Sequence, residues 1–427
     1  MKMILSLLTR FFFDFENVSG AILSRSQKTK VMGLGLWKDR EVWPLPWMNV
    51  VSELKIFGVQ ITPDYNQTLV RSWGKCLEGF RKTIMSWSSR NLESLKQRSE
   101  VLKIFATSKI WYKASALPLP EEFARKFESM VFAFLWQGKL EKLALDEVKN
   151  SFLDGGLGLP CVRSKADALF LKQTFRMLVE GPGTGSYDHI SFWLGQQLWV
   201  YFPDMAGTPW AINPSIYFQH MWGLLQEALV VMEFNVEEFE DLTTKILYKE
   251  FTSTFPPPKV IYKFDFNWSL VWKRLNSSLL DAKPWEGLFM IIHNIVPNRD
   301  RLFEKFHRAN SPACERPECG AERQDNVHLY CHCVAVRVGW CWLRRRILEL
   351  MPRDCSRVSD FELIHFFFPQ DVFDQEIIWL LGTYVAYVNS EVRGTRGDLK
   401  LEKMIGYFRQ KCFENRNARR LQLQFQL

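Results

Sequence analysis

The stretch "YNQTLVRSWGKCLEGFRKTIMSWSS", residues 65–89, predicts the fold class because its apolar residues recur every three or four positions. These residues are Leu69, Trp73, Cys76, Leu77, Phe80, Ile84 and Trp87. On a helix of about 3.6 residues per turn they share one face, and most of the basic residues fall elsewhere. The segment therefore predicts an amphipathic helix that packs against a core.

The neighbouring segments extend this pattern in both directions. Residues 95–117 have the same period and end at "PLP", 118–120, after which a third helix is predicted from Glu121 onwards. Upstream, "ELKIFGVQI" at 53–61 alternates apolar and polar residues around a glycine, which is typical of two short strands. We therefore predict a mainly α protein in which a short β-hairpin precedes a helical bundle and a further helical region.

Three stretches rich in glycine or proline interrupt the helical pattern. "DGGLGLP" at 154–160 lacks the lysine and hydroxyl residue of a P-loop, so we interpret it as a tight structural turn. "GPGTGS" at 181–186 is typical of a linker, and the three prolines of "STFPPPKV" at 253–260 exclude regular helix. The chain is therefore expected to divide near residues 185 and 256.

Composition excludes several classes of protein. With 427 residues, 47% of them hydrophobic, the chain can bury sizeable cores. Nine cysteines, five of them between 314 and 341, do not form the spaced pairs of a secreted disulfide scaffold. The apolar run 377–388 is too short to cross a bilayer and predicts a buried helix. We expect an intracellular protein, nuclear or cytoplasmic, with no membrane partner.

The charge of the chain is unevenly distributed. Residues 71–113 carry ten Lys or Arg against three acids, and residues 393–420 carry nine against three. Residues 221–250 are instead acidic, with seven acids against two lysines, and could contact a protein partner. The basic stretches favour a polyanion such as RNA or DNA as partner. The alternative is that they are only solvated helix faces.

Several motifs occur together in a specific order. They are "SGAILSRSQKTKVMGLG" at 19–35, "LKIFG" at 54–58, "SW" at 86–87, "LKQRSEVLK" at 95–103, "SKIWYKASALPLP" at 108–120, "FLWQGK" at 134–139, "GGLGLP" at 155–160 and a Cys/His cluster after residue 313. This ordered set resembles LINE-type (non-LTR) retrotransposon reverse transcriptases, and is most similar to those of the TX1-like group of vertebrate elements. The resemblance covers most of residues 15–345.

The resemblance implies a domain organisation. Residues 1–62 would form the end of a polymerase palm with a primer-grip-like hairpin, 63–185 a thumb-like helical region, and 186–258 a helical connector. Residues 259–350 would form the reverse-transcriptase-type zinc-binding module, and 351–427 a basic helical region. A basic helical bundle can follow a duplex through phosphate contacts. The candidate contacts from this part of the chain are Lys28, Lys55, Lys75, Arg81, Lys82, Lys96, Arg98 and Lys109.

The catalytic residues of that family have no counterpart in this sequence. A polymerase holds two divalent metals with closely placed carboxylates, and the resemblance implies an Asp-Asp turn upstream of the "SGA" motif. No Asp-Asp pair occurs in the sequence, and Asp14 is solitary. We therefore expect a catalytically incomplete remnant that binds nucleic acid at most. The alternatives are a fragment whose missing upstream part restores an active RNA-directed DNA polymerase, or a host-adapted scaffold for protein interactions.

The cluster "CERPECGAERQDNVHLYCHC", residues 314–333, has the composition of a metal site. Zinc usually takes four N or S ligands from two short-spaced pairs, here Cys314 with Cys319 and His328 with Cys333. Cys331 and His332 are alternative ligands, but the resemblance selects His328 and Cys333. Four protein ligands would close the shell and make the zinc structural. The alternative is a group of buried, reduced cysteines without metal.

A basic segment, "RVGWCWLRRR" at 337–346, follows this cluster. Arg344, Arg345 and Arg346 are further candidates for phosphate contacts. Trp340 and Trp342 could stack on bases, although tryptophan is on average a highly buried residue and these two could equally anchor the helix in a core.

Overall fold

The structure is a computed structural model. It describes residues 10, 13, 30–33, 49–138, 143–206, 210, 213–277, 279–352, 357–368, 374–394, 397–415 and 418. The described part is mostly helical, which confirms the prediction of a mainly α protein with a small hairpin. No helix of the described residues is long and apolar enough to cross a membrane.

The strands are few and short. Lys30–Val31 (β1) pairs in parallel with Asn49–Val50 (β2), and Leu54–Ile56 (β3) pairs antiparallel with Val59–Ile61 (β4). The β3–β4 turn consists of Phe57 and Gly58, both with positive φ, at 46° and 83°. Two positive φ values are typical of a type I′ turn, whose twist matches that of the flanking strands. The predicted hairpin is therefore present at "LKIFG".

The α-helices, in chain order, are Tyr65–Ser88 (α1), Leu95–Val101 (α2), Ser108–Ala114 (α3), Glu121–Trp136 (α4), Leu145–Lys149 (α5), Val162–Val179 (α6), Gly185–Leu198 (α7), Ile216–Gln226 (α8), Thr244–Thr252 (α9), Trp268–Leu275 (α10), Ala282–Ile292 (α11), Arg299–Glu304 (α12), Arg337–Leu350 (α13), Asp360–Ile364 (α14), Asp374–Tyr387 (α15) and Leu401–Glu414 (α16). Short π-helices span Leu102–Ala106, Glu227–Val231, His328–His332 and Val388–Arg393.

The chain forms two compact units, each built from separate stretches of sequence. The first comprises Met1–Thr83, Ala106–Glu128 and Val162–Phe251, and the second comprises Ile84–Phe105, Ser129–Cys161 and Thr252–Leu427. The domain boundaries implied by the resemblance stay predictions.

The first unit has a hydrophobic core around helices α6 to α9. Leu171, Leu194 and Leu225 are fully buried there, and the rings of Phe175 and Phe239 stack with centroids 3.9 Å apart. The apolar face predicted for residues 65–89 packs against a core in this unit. Trp73 and Phe80 of α1 are buried there, and both rings contact the ring of Phe127 edge-on. The indole of Trp73 also donates to the carbonyl of Pro118, which ties α1 to the "PLP" segment.

The second unit is centred on helices α11 and α15. The apolar run 377–388 lies in α15 and the start of the π-helix that follows, and its described apolar side chains are buried, which confirms its assignment to a core. Helix α10 packs near the "DGGLGLP" turn, where a Cβ on Gly155 would lie 2.6 Å from the ring of Trp272. Gly155 and Gly158 have φ of +79° and +61°. Both findings support a structural turn, since only glycine tolerates such geometry easily.

Candidate metal centre and basic surfaces

Cys314, Cys319, His328 and Cys333 come together in the second unit, and their four donor atoms all lie within 4.8 Å of one another. The sulfur of Cys314 is 3.8 Å from that of Cys333, and the sulfur of Cys319 is 3.5 Å from Nε2 of His328. A tetrahedron with Zn–S of about 2.3 Å and Zn–N of about 2.05 Å places two sulfurs about 3.8 Å apart and a sulfur and nitrogen about 3.6 Å apart. The spacing therefore suits tetrahedral zinc, whereas a disulfide needs about 2.05 Å.

Two local backbone features aim these four side chains at one point. Between Cys314 and Cys319 the chain reverses, with the N–H of Cys319 donating to the carbonyl of Arg316 and Gly320 in the left-handed region at φ +62°. Between His328 and Cys333 the chain forms a π-helix, in which the N–H of Cys333 donates to the carbonyl of His328. This wider turn brings residues five apart onto one side, which explains the four-residue spacer.

Further polar groups surround the sulfurs. Backbone N–H groups of Val334 and Ala321 donate towards Cys319, and that of Ala335 donates towards Cys333. The side-chain amide of Gln324 lies 3.4 Å from the sulfur of Cys314. Hydrogen bonds of this kind stabilise thiolates and orient metal ligands.

The pKa values of the cysteines and of His328 show which of these side chains must lose a proton to bind a cation. Burial, together with the nearby Cys314, raises the pKa of Cys333 to about 12. For Cys319, burial acts in the same direction but is outweighed by the backbone N–H donors, so the pKa of this thiol is lowered. Burial lowers the pKa of His328, which keeps its imidazole neutral and able to ligate. A divalent cation would favour the deprotonated form of all three thiols.

Cys331 and His332, the two alternative ligands, do not belong to the group of four donors. Cys331 is fully buried, and burial raises its pKa well above the usual value, which keeps it a neutral thiol. His332 lies at the surface with Nε2 2.9 Å from a carboxylate oxygen of Asp360. The structure thus brings together the four residues selected by the sequence analysis, and neither Cys331 nor His332 belongs to the group.

A network of side-chain amides connects the start of helix α12 to the loop that carries His328. Asn298 caps α12 through its side-chain oxygen, which accepts from the N–H of Arg301, and its amide donates to the oxygen of Asn326. The amide of Asn326 in turn donates to the side-chain oxygen of Asn294. Asn298, in the segment "PNRDRL" at 297–302, therefore both caps α12 and contacts the loop that carries His328.

The candidate phosphate contacts of the first unit have different environments. Lys55, Arg81 and Lys109 are exposed, and none of them forms an ion pair with another residue in the described part of the chain. Lys75 lies 3.2 Å from Glu53 and donates to the side chain of Gln60, and Lys82 pairs with Glu78 at 2.7 Å. Lys28 lies outside the described residues. The first three cations are therefore the freest to contact phosphate.

The prediction that Arg98 contacts phosphate is wrong in this structure. Arg98 is only 1% exposed, and its guanidinium donates to the carbonyls of Leu135 and Leu92 at 2.7 and 2.9 Å. It also lies 3.6 Å from a carboxylate oxygen of Glu286. A buried cation requires this kind of compensation, so Arg98 holds the second unit together instead of binding a ligand.

The other basic candidates of the second unit also differ in exposure. Lys96 is half-buried with its ammonium 6.0 Å from the ring centre of Trp285, and Arg344 pairs with Asp360. Arg346 is 2.9 Å from a carboxylate oxygen of Glu349. The side chain of Arg345 is 84% exposed and reaches the same carboxylate only at 3.9 Å. Arg345 is therefore the most exposed and least paired of these four basic residues.

The two tryptophans of helix α13 face other side chains. Trp340 is buried against Tyr384, and Trp342 is half-buried with its ring centre 5.8 Å from that of Phe408. The structure favours the anchoring role for both residues over stacking on bases.

One exposed aromatic group was not identified from the sequence. Phe57, at the tip of the β3–β4 hairpin, is 83% exposed, and Tyr112 of α3 is also exposed. The ammonium of Lys113 donates to the carbonyl of Gly58, which fixes α3 against this tip. The "IFG" turn could have indicated this surface, because a bulky aromatic residue is uncommon at a turn position with positive φ. We name Lys55, Phe57, Lys109 and Tyr112 the hairpin surface.

Comparison with known proteins gives a limited result. No family model matches the chain. Over 89 residues the chain is 32% identical to a Xenopus laevis protein described as "Transposon TX1 uncharacterized 149 kDa protein". The matched part is 21% of this chain, and it spans only 7% of the length of that relative. A segment of the chain is thus related to part of a transposon protein.

Proposed function

We propose that this chain is part of a LINE-type retrotransposon reverse transcriptase, that it binds RNA or DNA, and that its Cys/His group holds a structural zinc ion. The similarity to a transposon protein supports the family, and the order of motifs described above supports the reverse-transcriptase part of it. The four donors leave no open position on a tetrahedral ion, so the zinc would stabilise a fold and would not activate water.

The observation that carries nucleic-acid binding is the hairpin surface. An exposed aromatic ring at the tip, Phe57, lies on a hairpin that also displays Lys55, and Tyr112 and Lys109 are exposed on α3, which is fixed to the tip. Proteins that bind single strands combine cations that follow the backbone with aromatic rings on which bases stack. The strain of a positive φ at Phe57 is a cost that a function at this position would explain.

Docking of the hairpin onto α1 makes the surface rigid. The backbone N–H of Gln60 donates to Ser72 and the hydroxyl of Ser72 donates back to the carbonyl of Gln60. The backbone N–H of Thr62 donates to the hydroxyl of Thr68. Because both residues of α1 are buried, the hairpin keeps a fixed position relative to the helix. A rigid surface loses less entropy on binding.

The proposal is tested by fluorescence anisotropy with a labelled RNA, a single-stranded DNA and a duplex DNA at two salt concentrations. Replacing Lys55 and Lys109 by Gln should weaken binding and reduce the slope of log affinity against log salt by about 0.7 to 0.9 for each phosphate that the variant no longer neutralises. Phe57→Ala should cost about 1–3 kcal/mol on single strands if a base stacks there, and less on duplex DNA.

The matched control removes two cations from the same unit. Arg125 and Lys126 are exposed but each is paired within α4, to Glu121 at 3.2 Å and Glu122 at 2.5 Å, so their replacement by Gln should change affinity little. Equal decreases in both double variants would show that only net charge matters. Affinity that is independent of salt, or absent for all three probes, would remove nucleic acid as the partner and favour the scaffold for protein interactions.

We also expect no template-directed nucleotide addition by the purified chain, because two-metal catalysis needs paired carboxylates and no Asp-Asp pair occurs in the sequence. Primer extension with a labelled primer and each of the four nucleotides checks this. The acidic segment 221–250 remains a proposed contact for a protein partner.

A further inference from the structure

The second unit contains a cavity of about 300 Å³ that the proposed function does not use. It is lined by residues of helix α5, the short 3-10 helix Lys259–Tyr262, the end of α11 with the loop that follows, and α12 with the residue after it. Four cations line it, namely Lys259, Lys263, Arg301 and Lys305. The carboxylate among its lining residues is Glu147.

Glu147 attracts Lys259 and Lys305 electrostatically, but it does not form a close ion pair with either lysine. Among the described residues, no carboxylate oxygen lies within ion-pair distance of Lys259, Lys263, Arg301 or Lys305. Burial, followed by repulsion from Arg301, Lys259 and Lys263, lowers the pKa of Lys305, and attraction by Glu147 opposes this shift only in part. Positive charges gathered in this way repel one another, and a bound anion would remove that cost.

Arg301 supplies the most specific sign of a missing partner. One terminal nitrogen donates to the carbonyl of Asn294 at 2.9 Å, which fixes the plane of the guanidinium. Its Nε and its other terminal nitrogen are buried and have no hydrogen-bond partner. Buried donors are normally satisfied, and these two adjacent N–H groups form the fork that binds two oxygens of one phosphate. Asn294 has a positive φ of 52°, a conformation that asparagine adopts more readily than most residues.

We propose that this cavity binds a phosphate or diphosphate group, with the free side of the Arg301 guanidinium as bidentate donor and Lys259, Lys263 and Lys305 as flanking charges. Its size is at the lower limit of small-molecule pockets, about 300 Å³, so it suits the phosphate part of a ligand better than a whole nucleotide. The source of the group is either the end of a nucleic-acid strand or a free phosphate compound. The site requires neither the hairpin surface nor a particular polymerase activity.

The test is calorimetric titration of the zinc-loaded full chain with inorganic phosphate, at low ionic strength in a buffer without polyvalent anions. Saturable binding at one site per chain is expected. Lys263→Gln and Lys305→Gln should each weaken it about tenfold, as expected for the loss of one charge-assisted hydrogen bond. Arg301→Gln should abolish it, and the two lysine variants keep the test valid if that variant does not fold.

Lys273→Gln is the matched control, because Lys273 is exposed on α10 in the same unit and does not line the cavity. It should bind phosphate as the unchanged chain does. Absence of saturable binding, or equal weakening by Lys273→Gln and Lys305→Gln, would overturn the proposal.

Two short oligonucleotides of one sequence distinguish the sources, one with a 5′-phosphate and one with a 5′-hydroxyl. Stronger competition by the phosphorylated strand identifies a strand end, and equal, weak competition by both identifies a free phosphate compound. Variants of the hairpin surface should leave phosphate binding intact, so failure of the proposed function and failure of this site give different results.

Discussion

Replacing Cys319 by Ser is expected to remove zinc from the second unit and to destabilise it. The four donor atoms lie within 4.8 Å of one another, and the Cys314–Cys333 and Cys319–His328 separations of 3.8 and 3.5 Å already suit tetrahedral zinc, so the ion would need little rearrangement of the ligands. Structural zinc sites of this type bind with about 10–16 kcal/mol at pH 7, and losing one of four ligands should remove about a quarter of that. We therefore expect the zinc affinity to fall by about two to three orders of magnitude.

The loss of affinity translates into stability through mass action. A ligand present at about a thousand times its dissociation constant stabilises the folded state by about 4 kcal/mol, and the variant should lose most of this at the same free zinc concentration. Chelation of the unchanged chain should have the same effect. Acidification should also release zinc, because Cys333, whose pKa is raised to about 12 without metal, must lose a proton to bind it.

The assay combines elemental analysis of zinc, competition with a chromophoric chelator, and thermal unfolding at fixed free zinc. Cys341→Ser is the control, because Cys341 is exposed and lies outside the donor group. One zinc per unchanged chain and per Cys341→Ser chain is expected. If Cys319→Ser binds zinc as tightly as the unchanged chain and keeps its unfolding midpoint, or if chelation leaves the unchanged chain as stable as before, the structural zinc is refuted and the group is a set of reduced cysteines without metal.

Three further predictions concern the stability of the fold and are tested by urea unfolding. Arg98→Met should cost about 3–5 kcal/mol, because it leaves two carbonyls without their donor and removes the cation beside the partly buried carboxylate of Glu286; the exposed Arg125→Met should stay within about 0.5 kcal/mol, and equal costs would contradict this. Gly156→Ala should lower the free energy of unfolding by about 1–3 kcal/mol, since the new Cβ would lie 2.0 Å from a backbone oxygen. Gly74→Ala, in open space on α1, should instead raise the free energy of unfolding by about 0.5–1 kcal/mol. Burial lowers the pKa of His365 to about 4, so the unfolded chain binds its proton first, and the contribution of His365 to stability should fall from pH 6.5 towards pH 4 by about 1.4 kcal/mol per pH unit. His220 and His293, whose pKa values burial also lowers, add to the slope of the unchanged chain, so His365→Phe should reduce that slope by about this amount, and an equal slope would refute this.

Regular periodicity made much of the local structure predictable. The seven-residue spacing of Trp73, Phe80 and Trp87 identifies α1 because seven residues make about two turns of a helix with 3.6 residues per turn. The glycines of 154–160 identify a turn because two of them need positive φ. The spacing of the cysteines and histidines predicts a metal site because zinc takes pairs of N or S ligands, but the choice of His328 and Cys333 over Cys331 and His332 came from the family resemblance.

The exposure of individual charges could not be predicted in the same way. Lys55 and Arg98 are equally basic in the sequence, yet Lys55 is exposed to solvent, whereas Arg98 is buried and donates to the carbonyl of Leu135, which is 37 residues away. Burial of a cation depends on tertiary contacts that no local pattern encodes. The same holds for the π-helix at His328–His332, since no helical period in the sequence indicates the extra residue per turn.

The metal group and the proposed phosphate cavity are joined by a short path of buried hydrogen bonds. Asn326 lies two residues before His328 and donates to Asn294, whose backbone carbonyl accepts from Arg301. Asn298 closes the path, since it accepts from the N–H of Arg301 and donates to Asn326. A zinc ion that fixes His328 would therefore also fix the carbonyl that orients the guanidinium. Loss of zinc should then loosen Arg301 and weaken phosphate binding, although Arg301 itself is not a metal ligand.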